Sequence, residues 1–503
     1  MISRRQVLQA TAGSAAAAMV GTASAVALPR AATADYSTTP DPTSNWGAWE
    51  GWGTSLCWWA NVFGMRDDLA DILFTRDTVS YDSQSLPGLG LNIVRYNIGG
   101  CSSTPINCES MVASPNIPSW KQIQGYWLNW TSSDPASDSW NWWVDSNQRN
   151  AMWKARDRGV NLIDMFSDTP MWWMCSNHNP SGADDGGDNL QSWNYQQHAR
   201  YLATVAKYAT DHWGVNVASV EAFNEPSSSW WTSTGTQEGC HISASIQQQV
   251  IAYLRSELDA RGLTNTLVAA SDETSYDQAR TTWSSFSSAT KDTVGRVNVH
   301  GYQYEGGRRD LLYNDVHAAG KPLWMSEYGE GTGSGMRLAT NLCLDMRWLH
   351  PTAWVYWQAY DGFDKDGGAW GLIQVDEDNG TVGAVNPKYW VLTQYARHIR
   401  PGMRILSGGA DVNTVAAYDT SASRLVLVTA NYGTPQWVTY DLSRFSSVGG
   451  GANGVVRRWI TVTGAGGERY GAHPSDTTLN GKQFWSWFPA NSIQTFEIDN
   501  VSL

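Results

Sequence analysis

The chain has 503 residues, a formal net charge of −13, and 29 tryptophans against only 10 phenylalanines. That length buries a large core, enough for a barrel of about 250 residues or more plus a smaller domain. The acidic balance argues against nucleic acid or anionic lipid as a partner and fits a neutral one.

The amino end reads Ser3-Arg4-Arg5-Gln6-Val7-Leu8-Gln9, then an uncharged alanine-rich stretch to Leu28, then small residues ending Ala32-Thr33-Ala34. This is the pattern of a cleavable export signal over residues 1–34, and the twin arginine points to the Tat route and a secreted product. Its removal takes away three arginines and no acid, moving the net charge to −16. In an exported chain the six cysteines permit up to three disulfides, with Cys101 to Cys108 the first expectation. There is no Cys-x-x-Cys and the histidines are scattered, so no metal or cofactor site is expected. Residues 35–50 are too short for a domain and are a candidate extra strand for a later sheet.

Eight β-branched, apolar runs follow: Gly51 to Leu56, Leu91 to Asn97, Val160 to Ser167, Val217 to Glu225, Thr266 to Ser271, Val297 to Tyr302, Pro322 to Tyr328 and Ala353 to Gln358. Most are separated by amphipathic stretches such as Asn194 to Trp213 and Ser243 to Arg261, and Lys388 to His398 would be the last helix. Such alternation requires a parallel sheet, and eight repeats predict a (β/α)8 TIM barrel over 51–400. After Pro401 the pattern changes to strands and turns, as in Arg424 to Ala430 and Gly454 to Val462, which predicts a fused β-sandwich over 401–503. Gly449 to Gly454 matches Gly-x-Gly-x-x-Gly, but no helix follows and nucleotide binding is not expected.

The chemistry is concentrated at strand ends. The fourth run closes on Asn224-Glu225-Pro226 and the seventh on Ser326-Glu327-Tyr328, about a hundred residues apart. Barrel active sites lie at the carboxyl ends of the strands, and glycosidic cleavage with retention needs two carboxylates about 5 Å apart. Glu225 is therefore the expected proton donor and later base, Glu327 the nucleophile, and Asn224 a contact to the sugar 2-hydroxyl. Arg95, ending the second run, is placed to orient Glu327. His300 and Tyr302, two apart, point the same way if the sixth strand continues. Trp357 on the eighth run is placed to floor the subsite, while Glu221 and Asp164 lie short of strand ends and read as barrel-interior residues. Adjacent indoles, Trp58-Trp59, Trp142-Trp143, Trp172-Trp173 and Trp230-Trp231, are hard to bury whole, and those following strands are candidate sugar platforms. The acidic turns Asp184 to Asp188 and Asp361 to Asp366 lack full calcium-loop spacing. No Gly-x-Ser-x-Gly and no His-Glu-x-x-His occur, against an esterase or zinc peptidase.

With those residues in place the chain resembles glycoside hydrolase family 30. The segments Gly51 to Ala60, Thr169 to Met174 and Asn386 to Tyr395 look most like its endo-β-1,6-galactanase branch. The resemblance implies a retaining enzyme acting on β-1,6-galactan side chains of arabinogalactan, without cofactor, with Glu225 as acid/base and Glu327 as nucleophile. It also implies that Arg95, Trp172, Asn224, His300, Tyr302 and Trp357 line the subsite of the cleaved sugar. The sandwich, completed by an amino-terminal strand, is the family's arrangement too. Another family specificity (β-glucosidase, β-xylosidase or β-1,6-glucanase) stays open, as does a non-catalytic carbohydrate-binding wall protein. The glucuronoxylanase reading is lowered, since the eighth loop shows no arginine-and-tyrosine pocket for a uronate. The expected partner is a polysaccharide or oligosaccharide, met by a monomer, with no nucleic acid and, after signal cleavage, no membrane.

Overall fold

Eight short strands pair side by side into a closed, all-parallel barrel in a computed structural model that describes residues 35–362, 368–410 and 412–503. The export signal and part of the Asp361 to Asp366 turn lie outside the described residues. The strands are β1 (Gly51–Ser55), β2 (Ile93–Asn97), β3 (Leu162–Phe166), β4 (Val217–Glu221), β5 (Leu267–Glu273), β6 (Arg296–His300), β7 (Leu323–Tyr328) and β8 (Ala353–Gln358). They close in chain order, β8 pairing with β1 through Ala353 opposite Gly51. Long helices such as Tyr195–Tyr208 and Ala244–Ala260 supply the crossovers that parallel pairing demands.

The carboxyl-terminal strands form a sandwich. Arg404–Ser407 (β9), Thr414–Asp419 (β10), Arg424–Asn431 (β11), Gln436–Asp441 (β12), Val455–Val462 (β13), Gly471–Thr478 (β14), Gln483–Phe488 (β15) and Ser492–Ile498 (β16) make two sheets. One has the order β9-β10-β11-β16-β13-β14; the other has β12 between β15 and the amino-terminal strand Tyr36–Thr38. Tyr36 lies opposite Val438 in parallel register, so the segment preceding the barrel does supply a strand. The sheets enclose an aromatic cluster in which Phe496 meets Tyr440 at 4.9 Å and Phe484 at 5.1 Å between ring centroids. The sandwich is anchored on the last barrel helix, Pro387–Ala396, where Gln394 exchanges hydrogen bonds with Thr461 (2.9 Å) and Thr495 (2.6 Å).

Four expectations need correction. The fourth strand leaves its ladder after Glu221 rather than at Glu225, and Glu225, in the loop beyond it, takes a left-handed φ of 48°. The fifth runs to Glu273, two residues past its expected end, adding Asp272 and Glu273 to the catalytic face. Cys101 and Cys108 are not joined in a disulfide, Cys101 being buried and Cys108 exposed. Most of the paired indoles are buried after all, Trp58, Trp59, Trp172, Trp173 and Trp231 among them, because loops over the barrel mouth pack both faces of each segment.

The two domains share a helix, not a site. Phe496→Ala is expected to cost about 3–5 kcal/mol in urea unfolding while leaving the turnover number of the folded fraction unchanged; a loss of turnover would show that the sandwich shapes the active site.

Candidate active site

Side chains of alternate residues on β2 point into the barrel, and this puts Arg95 at its axis, wholly buried. Its Nη1 donates to Glu327 Oε2 at 2.8 Å and its Nη2 to Asp272 Oδ2 at 2.6 Å. Asp164 and Glu221 approach the same guanidinium at 3.7 Å, and the Phe166 ring lies 4.0 Å from its carbon. Burial opposes the charge on Arg95, yet Asp272, Glu221, Glu327 and Asp164 outweigh it and hold the group well above the usual arginine range. Glu221, by contrast, is pushed well up by burial, then by Asp164 and Asp272. Below them Arg296 binds Asp164 at 2.9 Å and Asn298 binds Glu221 at 2.6 Å, so these two acids are interior packing groups, as expected.

Glu327 and Glu225 sit above this floor. Tyr302 donates to Glu327 Oε1 at 2.7 Å, and His300 Nδ1 lies 2.9 Å from Glu225 Oε1 and 3.4 Å from Glu327 Oε1. The sixth strand ends at His300, but Tyr302 still turns to the same side. His300 Nε2 lies 2.9 Å from Asp272 Oδ1, an ion-pair contact without good hydrogen-bond alignment. Burial lowers the proton affinity of His300, but Asp272 and Glu327 outweigh burial and raise its pKa to about 9. Asp272 is in turn held well below the usual carboxylate range, Arg95 and His300 overcoming its burial.

The backbone at Glu225 is fixed from β5. Its N–H donates to the Asp272 carbonyl at 2.9 Å, and Ser227 donates through Oγ to Glu273 at 2.6 Å. Asn224 is buried, and neither its amide nitrogen nor its oxygen has a hydrogen-bond partner among the described residues. The Trp172 Nε1 is likewise buried without one. Trp357 is buried edge-to-face against Trp58 at 5.1 Å. Arg95, His300, Tyr302, Glu225 and Glu327 are thus joined in one network, with Asn224 adjoining Glu225, while Trp172 packs edge-on against His178 and Trp357 against Trp58. Asp272 was missed in the sequence, though the acidic pair Asp272-Glu273 closing a barrel strand was a legible sign.

The nearest side-chain atoms of Glu225, His300 and Glu327 all lie within 4.8 Å of one another. Such a trio also has the spacing of a cation site. An imidazole protonated on both nitrogens has no lone pair to give, however, and its raised pKa keeps His300 in that form at neutral pH. Two buried carboxylates at this separation suit double displacement at an anomeric carbon.

Residues 32–291 match the family described as O-Glycosyl hydrolase family 30. The chain belongs to glycoside hydrolase family 30. It is 54% identical over 473 residues to the endo-beta-1,6-galactanase of Hypocrea rufa, covering 94% of this chain and 96% of that one. It is 23% identical to an exo-beta-1,6-galactobiohydrolase of Bifidobacterium longum subsp. longum, over 83% of this chain and 36% of that protein's length. A family 30 subfamily 8 xylanase from Clostridium acetobutylicum shares the fold, with a TM-score of 0.66, 18% identity, and coverage of 92% of this chain and 99% of that one. A conserved exported protein from Bacteroides fragilis does so at a TM-score of 0.71 and 16% identity, over 91% and 99% of the two chains. This family 30 glycoside hydrolase acts on a polysaccharide substrate, and among its described residues no helix is long and apolar enough to cross a membrane.

The raised pKa of His300 carries a stability signature. The folded state holds the proton more tightly than the unfolded chain, so the stabilisation is complete below about pH 6.5 and is lost as pH rises through about 9. The unfolding free-energy difference between the parent and His300→Asn should shrink across that window by on the order of 3 kcal/mol; a difference independent of pH would remove the charged imidazole from this account. Asp145 and Glu238, both raised to about 7 chiefly by burial, also titrate but are common to both proteins and cancel.

Proposed function

We propose that this chain is an exported, retaining β-1,6-galactanase that cleaves the galactan side chains of arabinogalactan through Glu327 and Glu225. The observation that carries the substrate assignment is the identity of 54% along nearly the whole of both chains to an enzyme named for that activity. Likeness at this level extends through the loops that shape a cleft, not the barrel alone.

Glu327, facing the Arg95 guanidinium and the Tyr302 hydroxyl, is favoured in its charged form and is the nucleophile. It attacks the anomeric carbon while Glu225 gives its proton to the departing glycosidic oxygen. The bond to that oxygen breaks and a glycosyl ester forms. In the second step Glu225 takes a proton from water, the water oxygen attacks the same carbon, and Glu327 leaves with its electron pair. Asn224 offers a buried, unpartnered amide beside the acid, suited to the sugar 2-hydroxyl, a contact that strengthens as the ring flattens. His300 donates to Glu225 and lies within reach of Glu327, where it offsets negative charge as the proton moves between steps. The pattern of residues 1–34 supports export by the Tat route, and amino-terminal sequencing of the mature enzyme checks it.

Arabinofuranosidase-treated arabinogalactan should yield β-1,6-galacto-oligosaccharides by mass spectrometry, with no product from xylan or β-1,6-glucan run beside it. A spread of chain lengths means endo attack and galactobiose alone means exo attack; turnover of only xylan or glucan would keep the mechanism and discard this specificity. Glu327→Ala should lose at least about a thousandfold in kcat and regain part of it with azide as a glycosyl azide. Glu225→Ala should spare an activated aryl galactoside far more than galactan, because such a leaving group needs little protonation. Equal loss on both substrates would take the acid role from Glu225.

A further inference from the structure

Large indoles are costly to leave in water, yet Trp193 is 74% exposed and Trp130 44% exposed, and both border one groove of about 680 Å³. It lies between the loop that follows β2 and the segment that runs from Trp173 into the helix Tyr195–Tyr208. The groove holds none of the catalytic network. It is set behind Trp172, whose ring meets the groove residue His178 edge-on at 5.3 Å.

Its floor is rigid. Trp127 and Trp173 stand perpendicular at 5.2 Å, each indole N–H being tied to a backbone carbonyl, Ser132 at 3.0 Å and Trp127 at 2.9 Å. Trp130 leans on Trp173 at 5.8 Å. The apolar lining consists of indole alone, with no aliphatic side chain, and the remainder is amide, hydroxyl and charge. Arg200 is already held by Glu257 at 3.2 Å, and Glu109 lies 3.7 Å from His178. Asn194 Oδ1 and Gln197 Nε2 face the groove with no hydrogen-bond partner among the described residues.

Flat aromatic faces and neutral hydrogen-bonding groups fit a neutral sugar chain better than an apolar protein helix or an anionic ligand. We infer that this groove is a second carbohydrate-binding site, which grips a stretch of the galactan polymer away from the bond being cut. It raises the local supply of polymer to the cleft without touching the reacting atoms. The identity of the sugar rests on the galactanase reading above; the groove itself does not.

Both exposed indoles can be removed with little risk to the fold, and the test is the double variant Trp130→Ala/Trp193→Ala. Its kcat/KM on an aryl β-galactobioside, too short to reach the groove, should equal the parent's, while kcat/KM on de-arabinosylated arabinogalactan should fall by about tenfold, the loss of stacked indoles appearing in KM. Binding is read separately by native gel retardation in that polymer with Glu327→Gln as the inactive background. Retardation that disappears when the two alanines are added supports the site. Equal retardation with and without them overturns it, as does an equal loss on the short and long substrates. A parent that cleaves neither substrate would sink the galactanase reading, and a parent not retarded by galactan would sink the groove's.

Discussion

A single buried guanidinium organises the centre of this enzyme. Arg95 stands on the barrel axis with four carboxylates within 3.7 Å, and each takes its place from that charge. Burying an unpaired acid is expensive, and burying several together is more so. Without the cation, Glu327, Asp272, Asp164 and Glu221 could not all be packed inside a water-poor barrel; even with it, burial drives Glu221 strongly toward its neutral form, while Arg95 and His300 keep Asp272 charged. The network therefore contributes little as a net source of stability. Its value lies in holding Glu327 in one orientation before substrate arrives.

Asp272 links the two halves of the site. Its carboxylate holds Arg95 on one side and His300 on the other, while its backbone carbonyl accepts the N–H of Glu225. Glu225 and Glu327 are thus referred to the same residue at the end of β5, although Glu327 lies on β7 and Glu225 in the loop that follows β4. This ties the loop that carries Glu225 to the strand that carries Glu327 and keeps the two carboxylates close together. A protonated His300 between the two glutamates adds a second positive charge, beside that of Arg95, to this acidic pocket.

Much of this was legible in the chain because a barrel repeats a simple physical pattern. Apolar runs at regular intervals gave eight strands, and Glu225 and Glu327 stood out because their position in that series, fourth and seventh, carried more information than the motifs themselves. Arg95 followed from the cost of a cation on a buried strand. What stayed hidden depended on backbone geometry and long-range partners. The left-handed turn at Glu225 and the extension of β5 to Asp272 and Glu273 are set by contacts across the barrel mouth, which no local propensity records. The cysteines misled for a related reason: close spacing in sequence does not bring two sulfurs together when one is buried, as in Cys101, and the other exposed, as in Cys108.

The tryptophans show where composition stops and packing begins. A surplus of indole reads in the sequence as affinity for sugars, but many of these rings are buried and some stack on other aromatic rings, as Trp127 on Trp140 at 5.0 Å and Trp142 on Tyr208 at 3.6 Å. They shore up the long loop after β2, which has few strands or helices to brace it. That loop in turn forms one wall of both the cleft side and the outer groove. The same residues therefore explain two properties: aromatic packing makes an irregular loop stiff, and a stiff loop can hold a few indoles out in water at fixed spacing. A flexible loop would fold those rings back into the core, because only a braced backbone keeps an exposed indole from seeking cover.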